Sequence, residues 1–349
     1  MASRRDDLLA LAQCLRGSVP ASADWERLLA LANRTLATPA LAEALRGNRG
    51  VPGEVHSFLQ EIERRSIRRN MLLRGQLEEA LLRLNQVGVT PILLKGTAML
   101  AEKPAGTFSR ILSDLDLLLP QDALEPAIAA LGELGYSYHL EAPNGWDVHA
   151  LAREQDAGMI DLHWRIKIAQ PLIDHAFLAA GAREVALGQG RALVPSAEHQ
   201  ALVLILHDQV QEYDYARGNI DLRHLVDLAA ISGAGRVDWA ALLALAEASH
   251  VRNAVRVQLC SLTRLLGVDV PDAEAGGVWP RLQHWRRLFQ LRHSAAAPLF
   301  TLLTLALDPP LNPPLEAGRA GVRHPDRKPF WRFARLWELM RKAPLPTKA

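Results

Sequence analysis

Between Thr90 and Pro120 the chain reads TPILLKGTAMLAEKPAGTFSRILSDLDLLLP. The apolar run Pro91 to Leu94 predicts a short strand, Lys95-Gly96 a turn, and Thr97 the start of a short helix. After a glycine-containing loop, Ser113 to Leu119 predicts a second strand, one that carries two aspartates. Successive side chains on a strand point to opposite faces, so Asp114 and Asp116 share one face while Leu115, Leu117 and Leu119 share the other. One face is therefore core, and the other presents two carboxylates in register. Oxygen-rich side chains at i and i+2, flanked by apolar residues, suit a hard divalent cation such as Mg²⁺.

A third carboxylate lies in GMIDLHWRI. Alternation puts Met159, Asp161, His163 and Arg165 on one face and Ile160, Leu162, Trp164 and Ile166 on the other. A carboxylate in mid-strand has no turn to cap. If this strand lies beside Ser113 to Leu119, three like charges converge, and close carboxylates raise one another's pKa. Divalent cations remove that cost, and a pair of ions roughly 3.5–4 Å apart can activate a hydroxyl and stabilise a leaving pyrophosphate. The Lys95-Gly96-Thr97 turn complements this arrangement. Glycine lets a ligand approach the backbone, a helix start at Thr97 offers N–H groups, and Lys95 adds positive charge. Arg110 can reach phosphate from the other side. His163 either orients Asp161 or touches nucleotide.

The surrounding sequence is that of an ordinary globular protein. In 349 residues, 49% are hydrophobic and 22% charged, which excludes a disordered chain, and the length suggests about two domains. A net charge of +2 gives no global case for nucleic acid or an anionic membrane. Cys14 and Cys260 match no metal or CxxC spacing and read as buried apolar residues in a reducing compartment. No apolar run reaches the ~18 residues of a spanning helix, and Ala295 to Leu307 reads as a buried helix. MASRRDDLLALAQ lacks a signal-peptide core, so the expectation is a cytoplasmic protein.

Three regions follow from the periodicity. Residues 1–87 predict a helical N-terminal region, with an N-cap at Ser22-Ala-Asp24 and a long helix from about Pro52 to Val87. On that helix Arg64, Arg65, Arg68, Arg69 and Arg74 alternate with Glu61, Glu63, Glu78 and Glu79, the pattern of a solvated, ion-paired face in preference to a nucleic-acid surface. Residues 88–195 predict an α+β domain: the strands above, a helix Gln121 to Leu134, a strand Gly135 to Glu141, and an antiparallel pair, Trp146 to Leu151 with Gly158 to Ile166. Residues 196–349 return to helix: Glu198 to Val210, Asp221 to Ile231, Trp239 to His250 and Asn253 to Leu266. A Pro-rich break at 308–314 precedes a terminal basic, aromatic helix, Phe330 to Lys342. It either packs back on the helical domain or makes a peripheral membrane contact.

Lys95-Gly96, then Arg110, then Ser113-Asp-Leu-Asp-Leu-Leu118, and later Ile160-Asp-Leu-His-Trp164 together resemble the uncharacterised bacterial nucleotidyltransferases of the polymerase-beta-like superfamily. The resemblance covers about 90–230, including His207 and Asp221-Leu-Arg-His-Leu-Val-Asp227. It implies a mixed sheet, two Mg²⁺ (or Mn²⁺) ions on Asp114, Asp116 and Asp161, and transfer of a nucleoside monophosphate from an NTP, ATP foremost, with Asp161 also the base. Lys95, Gly96, Thr97, Arg110 and His163 are then the nucleotide-binding set. The superfamily opens its helix with Gly-Ser, whereas this chain has Gly96-Thr97 after Lys95. That form also resembles toxin-type enzymes acting on tRNA ends, which leaves substrate choice open. A small molecule or peptide of a biosynthetic pathway is the favoured acceptor, ahead of a protein side chain and a tRNA end. The rival expectation is a catalytically silent nucleotide-binding or assembly module on the same fold.

Overall fold

The computed structural model describes residues 3–139, 148–166, 173–247, 251–271 and 275–308. The expected terminal helix Phe330 to Lys342 and most of the Pro-rich break lie outside the described residues. In chain order the elements are α1 (Arg4–Leu15), α2 (Trp25–Arg34), α3 (Thr38–Ala44), α4 (Gly53–Gln86), β1 (Ile92–Leu93), α5 (Lys95–Glu102), β2 (Asp114–Leu118), α6 (Leu124–Glu133), β3 (Ser137–Tyr138), β4 (Val148–Ala152) and β5 (Met159–His163). There follow α7 (His175–Ala180), β6 (Arg183–Leu187), β7 (Gly190–Val194), α8 (Ala197–Leu206), α9 (Asp214–Arg217), α10 (Leu222–Ser232), α11 (Trp239–Glu247), α12 (Arg252–Leu266), α13 (Val278–Arg292) and α14 (Ala297–Leu307). The fold is α+β, as expected. Among the described residues no helix is long and apolar enough to cross a membrane.

Packing divides the chain into two units, Thr38–Val203 and, together, Met1–Ala37 with Leu204–Ala349. Boundaries at 87 and 195 therefore do not coincide with the packing. The reason is α4, whose Leu73, Leu77, Ala80, Leu81 and Leu84 recur at helical spacing and enter one core with the sheet residues Leu93, Leu115, Leu117, Ile160 and Leu162. The long helix is part of the sheet unit rather than of a separate N-terminal region. Its charged face is ion-paired as expected at Glu61 with Arg64 and Arg65. Arg74 pairs with Glu78 as expected and also donates to the carbonyls of Leu100 and Lys103, whereas Arg69 turns inward onto the Leu112 carbonyl.

The sheet is mixed, in the order β3-β4-β5-β2-β1-β7-β6. The aspartate strand β2 lies at its centre, antiparallel to β1 and parallel to β5. The predicted antiparallel pair is present as β4 and β5, with Arg153 in the turn bonded to Asp156. The hairpin β6–β7, which the sequence reading left unassigned, extends the sheet by parallel pairing of β7 with β1. Gly158, at the mouth of β5, makes the central pairing possible. A Cβ there would stand 2.6 Å from the Ser113 carbonyl oxygen and 2.7 Å from Leu73 Cδ2. Gly158→Ala is expected to destabilise the protein by about 1–3 kcal/mol, the usual range for overpacking. Chemical denaturation checks this, and an unchanged unfolding midpoint would mean that the strands separate without strain.

The second unit is helical. Asp24 caps α2 as expected, accepting from Arg27 N, and Ser3 and Asp6 close a capping box on α1. Helix α14, expected to be buried, is buried on one side only. Thr301, Thr304 and Leu305 face inward, while Leu299, Leu303 and Leu307 are exposed. The inversion has a polar cause: Arg286 on α13 is buried and donates to the Phe300 carbonyl and to Thr304 Oγ1, which draws the threonine side inward.

Candidate active site

Parallel pairing sets the site. Asp116 lies directly beside Asp161, Asp114 beside Met159, and Leu118 beside His163. Alternation then brings Asp116, Asp161 and His163 to one face of the sheet, opposite the leucines that pack on α4. Their ligand atoms lie within 4.8 Å of one another. Asp114 shares that face but stands apart from the tight group, its Oδ1 accepting from Ser113 Oγ at 2.9 Å.

Asp116 is 5% exposed, and its Oδ1 takes two partners, Lys95 Nζ at 2.8 Å and His163 Nε2 at 2.9 Å. Burial opposes its charge, but the Lys95 ammonium and the His163 hydrogen bond outweigh it and hold the carboxyl well below the ordinary range. Lys95 shows the reciprocal effect. Burial works against its charge, and Asp116, then Asp114 and Asp161, raise its pKa. Asp161 goes the other way. Burial first, then the charges of Asp114 and Asp116, push its carboxyl up to about 6. Its Oδ1 is buried with no hydrogen-bond partner among the described residues.

The predicted turn differs from expectation in one respect. Helix α5 begins at Lys95, two residues early, with Lys95 itself in the left-handed region at φ 49°. The Thr97 and Ala98 N–H groups, expected to face phosphate, donate instead to the Leu94 carbonyl. Thr97 is fully buried, and its hydroxyl accepts from the Asp116 N–H at 2.8 Å. It thereby fixes the backbone of the central aspartate. Gly96 does permit a close approach, though from within the protein: a Cβ would lie 2.3 Å from both Arg110 Nη1 and Leu112 Cδ2. Arg110 thus lies against the Lys95-Gly96 turn.

The loop that carries Arg110 is held from α4, a contribution the sequence reading missed. Asn70 Nδ2 donates to the carbonyls of Phe108 at 2.8 Å and Arg110 at 2.7 Å, and Arg69 Nε donates to Leu112 O at 3.0 Å. The available signal was an amide on an apolar helical stripe. Asn70 precedes Leu73 and Leu77 by three and seven residues and is as buried as they are.

Two acceptor-only carboxylates side by side, one with an orphaned buried oxygen, fit a divalent cation. Asp116, Asp161 and His163 are the residues placed to hold it, with Asp114 beside them. Residues 21–267 match the model of a family described as an uncharacterised nucleotidyltransferase. The chain belongs to that family. No curated protein and no solved structure matches it. The family match takes in β2, β5 and α5, and so the whole of the acidic face.

Proposed function

We propose that this nucleotidyltransferase moves a nucleoside monophosphate from an NTP, ATP foremost, to an acceptor hydroxyl with release of pyrophosphate. The observation that carries the reading is the Asp116–Asp161 pair on adjacent parallel strands, with a lysine on one member and an unpartnered oxygen on the other. The acceptor oxygen forms a bond to the α-phosphorus as the bond from that phosphorus to the β-phosphate's bridging oxygen breaks. Pyrophosphate leaves, and Asp161 accepts the hydroxyl proton on the carboxylate oxygen that a cation would not engage. Mg²⁺ or Mn²⁺, when bound, supplies Lewis-acid polarisation of the phosphoryl oxygens. Asp116 and Asp161 would hold it, with Asp114 or His163 completing the ligand set. Lys95 and Arg110 lie on either side of Gly96 in the place where a triphosphate needs positive charge. His163 orients Asp116, and Thr97 fixes that residue's main chain.

The acceptor class follows from charge. A net charge of +2 offers little electrostatic pull on RNA, which favours a small molecule or peptide over a tRNA end. One observation favours a second reading. Lys95 already neutralises Asp116 without any cation, as a silent nucleotide-binding module would require.

Pyrophosphate release separates the two. The purified chain is given each NTP with Mg²⁺ or Mn²⁺, with and without cell extract, beside an Asp114→Ala/Asp116→Ala control. Extract-dependent release that disappears in the control supports transfer, and the labelled product identifies the acceptor. Nucleotide binding with no release under any condition supports the silent module. Chelation of the divalent ions is expected to abolish release, and added Mn²⁺ to restore it. Release that persists in excess chelator would contradict the metal assignment.

A further inference from the structure

We propose that Asp208, Asp221 and His224, in the helical unit, form a buried site for a borderline divalent cation such as Zn²⁺. The inference does not depend on the nucleotidyltransferase chemistry. All three residues are at most 3% exposed, and their ligand atoms lie within 4.8 Å of one another. After α8 the chain widens into a π turn, His207–Gln211, a distortion that recurs at functional sites and that here carries Asp208. Asp221 caps α10, and His224 stands one turn into the same helix.

Each carboxylate has one oxygen engaged by the protein and the other turned to the same ring nitrogen. Asp221 Oδ1 accepts from the His224 N–H at 3.1 Å, and its Oδ2 lies 3.7 Å from His224 Nδ1. Asp208 Oδ2 accepts from Gln209 Nε2 at 2.7 Å and Gln258 Nε2 at 2.9 Å, and its Oδ1 lies 3.5 Å from His224 Nδ1. His224 Nδ1 is buried and makes no hydrogen bond.

The distances discriminate between a proton and a metal. A nitrogen sharing a proton with a carboxylate closes to about 2.7–3.2 Å. Donors about 2.0–2.2 Å from a tetrahedral ion stand about 3.3–3.6 Å apart. The observed 3.5 Å falls in the second range and 3.7 Å just beyond it, and both exceed the first. Arg287 places one positive charge near Asp208, and a divalent ion at the point where both carboxylates are aimed would add charge that both share. Imidazole as a donor, in a setting with little room for water, favours a first-row ion such as Zn²⁺ over Mg²⁺.

An outer layer orients the carboxylate ligands. Arg287, fully buried, donates to Gln258 Oε1 at 3.3 Å and to Gln209 Oε1, the two amides that hold Asp208. Such outer contacts fix ligand geometry in metal sites. The arrangement is a staple joining the π turn, α10 and α12.

The test uses the full chain carrying Asp116→Asn and Asp161→Asn, which removes the other candidate cluster. Zn²⁺ is loaded, excess is removed by gel filtration, and retained metal is counted by elemental analysis. The expected result is one equivalent per chain, with an X-ray absorption spectrum of one imidazole, oxygen donors and no sulfur. His224→Gln in the same background is expected to lose about 90% or more of the retained zinc, a tenfold drop at the low end of the usual range, while far-UV circular dichroism shows helix retained. If His224→Gln does not fold, the absorption spectrum decides: no imidazole or more than one overturns the site. A folded background chain that retains no zinc overturns it too. If the background chain itself does not fold, the wild-type chain is counted, and loss of one equivalent on His224→Gln is the expected result.

Discussion

Asp116→Asn is expected to lower nucleotidyl transfer by about 10²–10³-fold or more, the scale on which removal of one charge-stabilising group acts at a reacting phosphoryl or acyl centre. Asp116 alone touches both Lys95 and His163, lies beside Asp161 in the parallel register, and has its own N–H fixed by Thr97. Neutralising it removes a cation ligand and leaves the Lys95 ammonium facing an amide. Breaking a buried pair by removing one partner costs about 3–5 kcal/mol. Here the lower end or less applies, because about a fifth of the Lys95 side chain is exposed. Activity and stability therefore fall together, and pyrophosphate release read beside urea denaturation separates them. A folded Asp116→Asn protein that transfers at the wild-type rate would remove β2 from the chemistry.

The acidic face was legible in the sequence because it depends on short-range alternation. Asp114 and Asp116 at i and i+2, and Asp161 between Ile160 and Leu162, could be assigned to faces before any pairing was known. Strand adjacency then followed from the need to gather three carboxylates. The supporting residues were not legible, since they depend on contacts far apart in the chain. Thr97 reads as a helix N-terminus that offers its N–H to phosphate, yet with α5 starting at Lys95 that N–H donates to the Leu94 carbonyl and the hydroxyl accepts from Asp116 N. Asn70 holds a loop some forty residues downstream; its place on the apolar stripe of α4 marks it as buried but does not say which carbonyls it meets. The hairpin β6–β7 escaped for another reason. In REVALGQGRALV a glycine replaces one inward apolar residue, because β7 presses on α4, where a Cβ at Gly190 would lie 2.6 Å from Leu81 Cβ. The α4 stripe reads as helix, but its packing on the sheet does not, since periodicity reports which face is buried and not against what.

Lys95→Met is expected to separate metal binding from turnover. In the wild-type chain Lys95 Nζ lies 2.8 Å from Asp116 Oδ1, so an incoming cation competes with the ammonium for the same oxygen. On the proposed reading, displacement of Lys95 by the cation would free its charge for the triphosphate and link the two binding events. Methionine removes the competitor and keeps the length of the side chain. Divalent ions should then bind more tightly in the absence of nucleotide, while transfer falls by about 10²-fold through loss of the phosphate contact. Stability gives an independent readout. Without Lys95 the carboxylate of Asp116, 5% exposed, retains His163 alone, and an uncompensated buried charge costs about 3–5 kcal/mol. Mg²⁺ or Mn²⁺ should restore most of that by binding the folded state preferentially. The thermal midpoint of the variant should therefore rise steeply with metal concentration, and that of the wild-type chain only slightly. Equal metal dependence in the two proteins would show that Lys95 and the cation do not share Asp116. In that case the Lys95–Asp116 pair is a fixed ion pair, and the silent-module reading gains the support that the transfer reading loses.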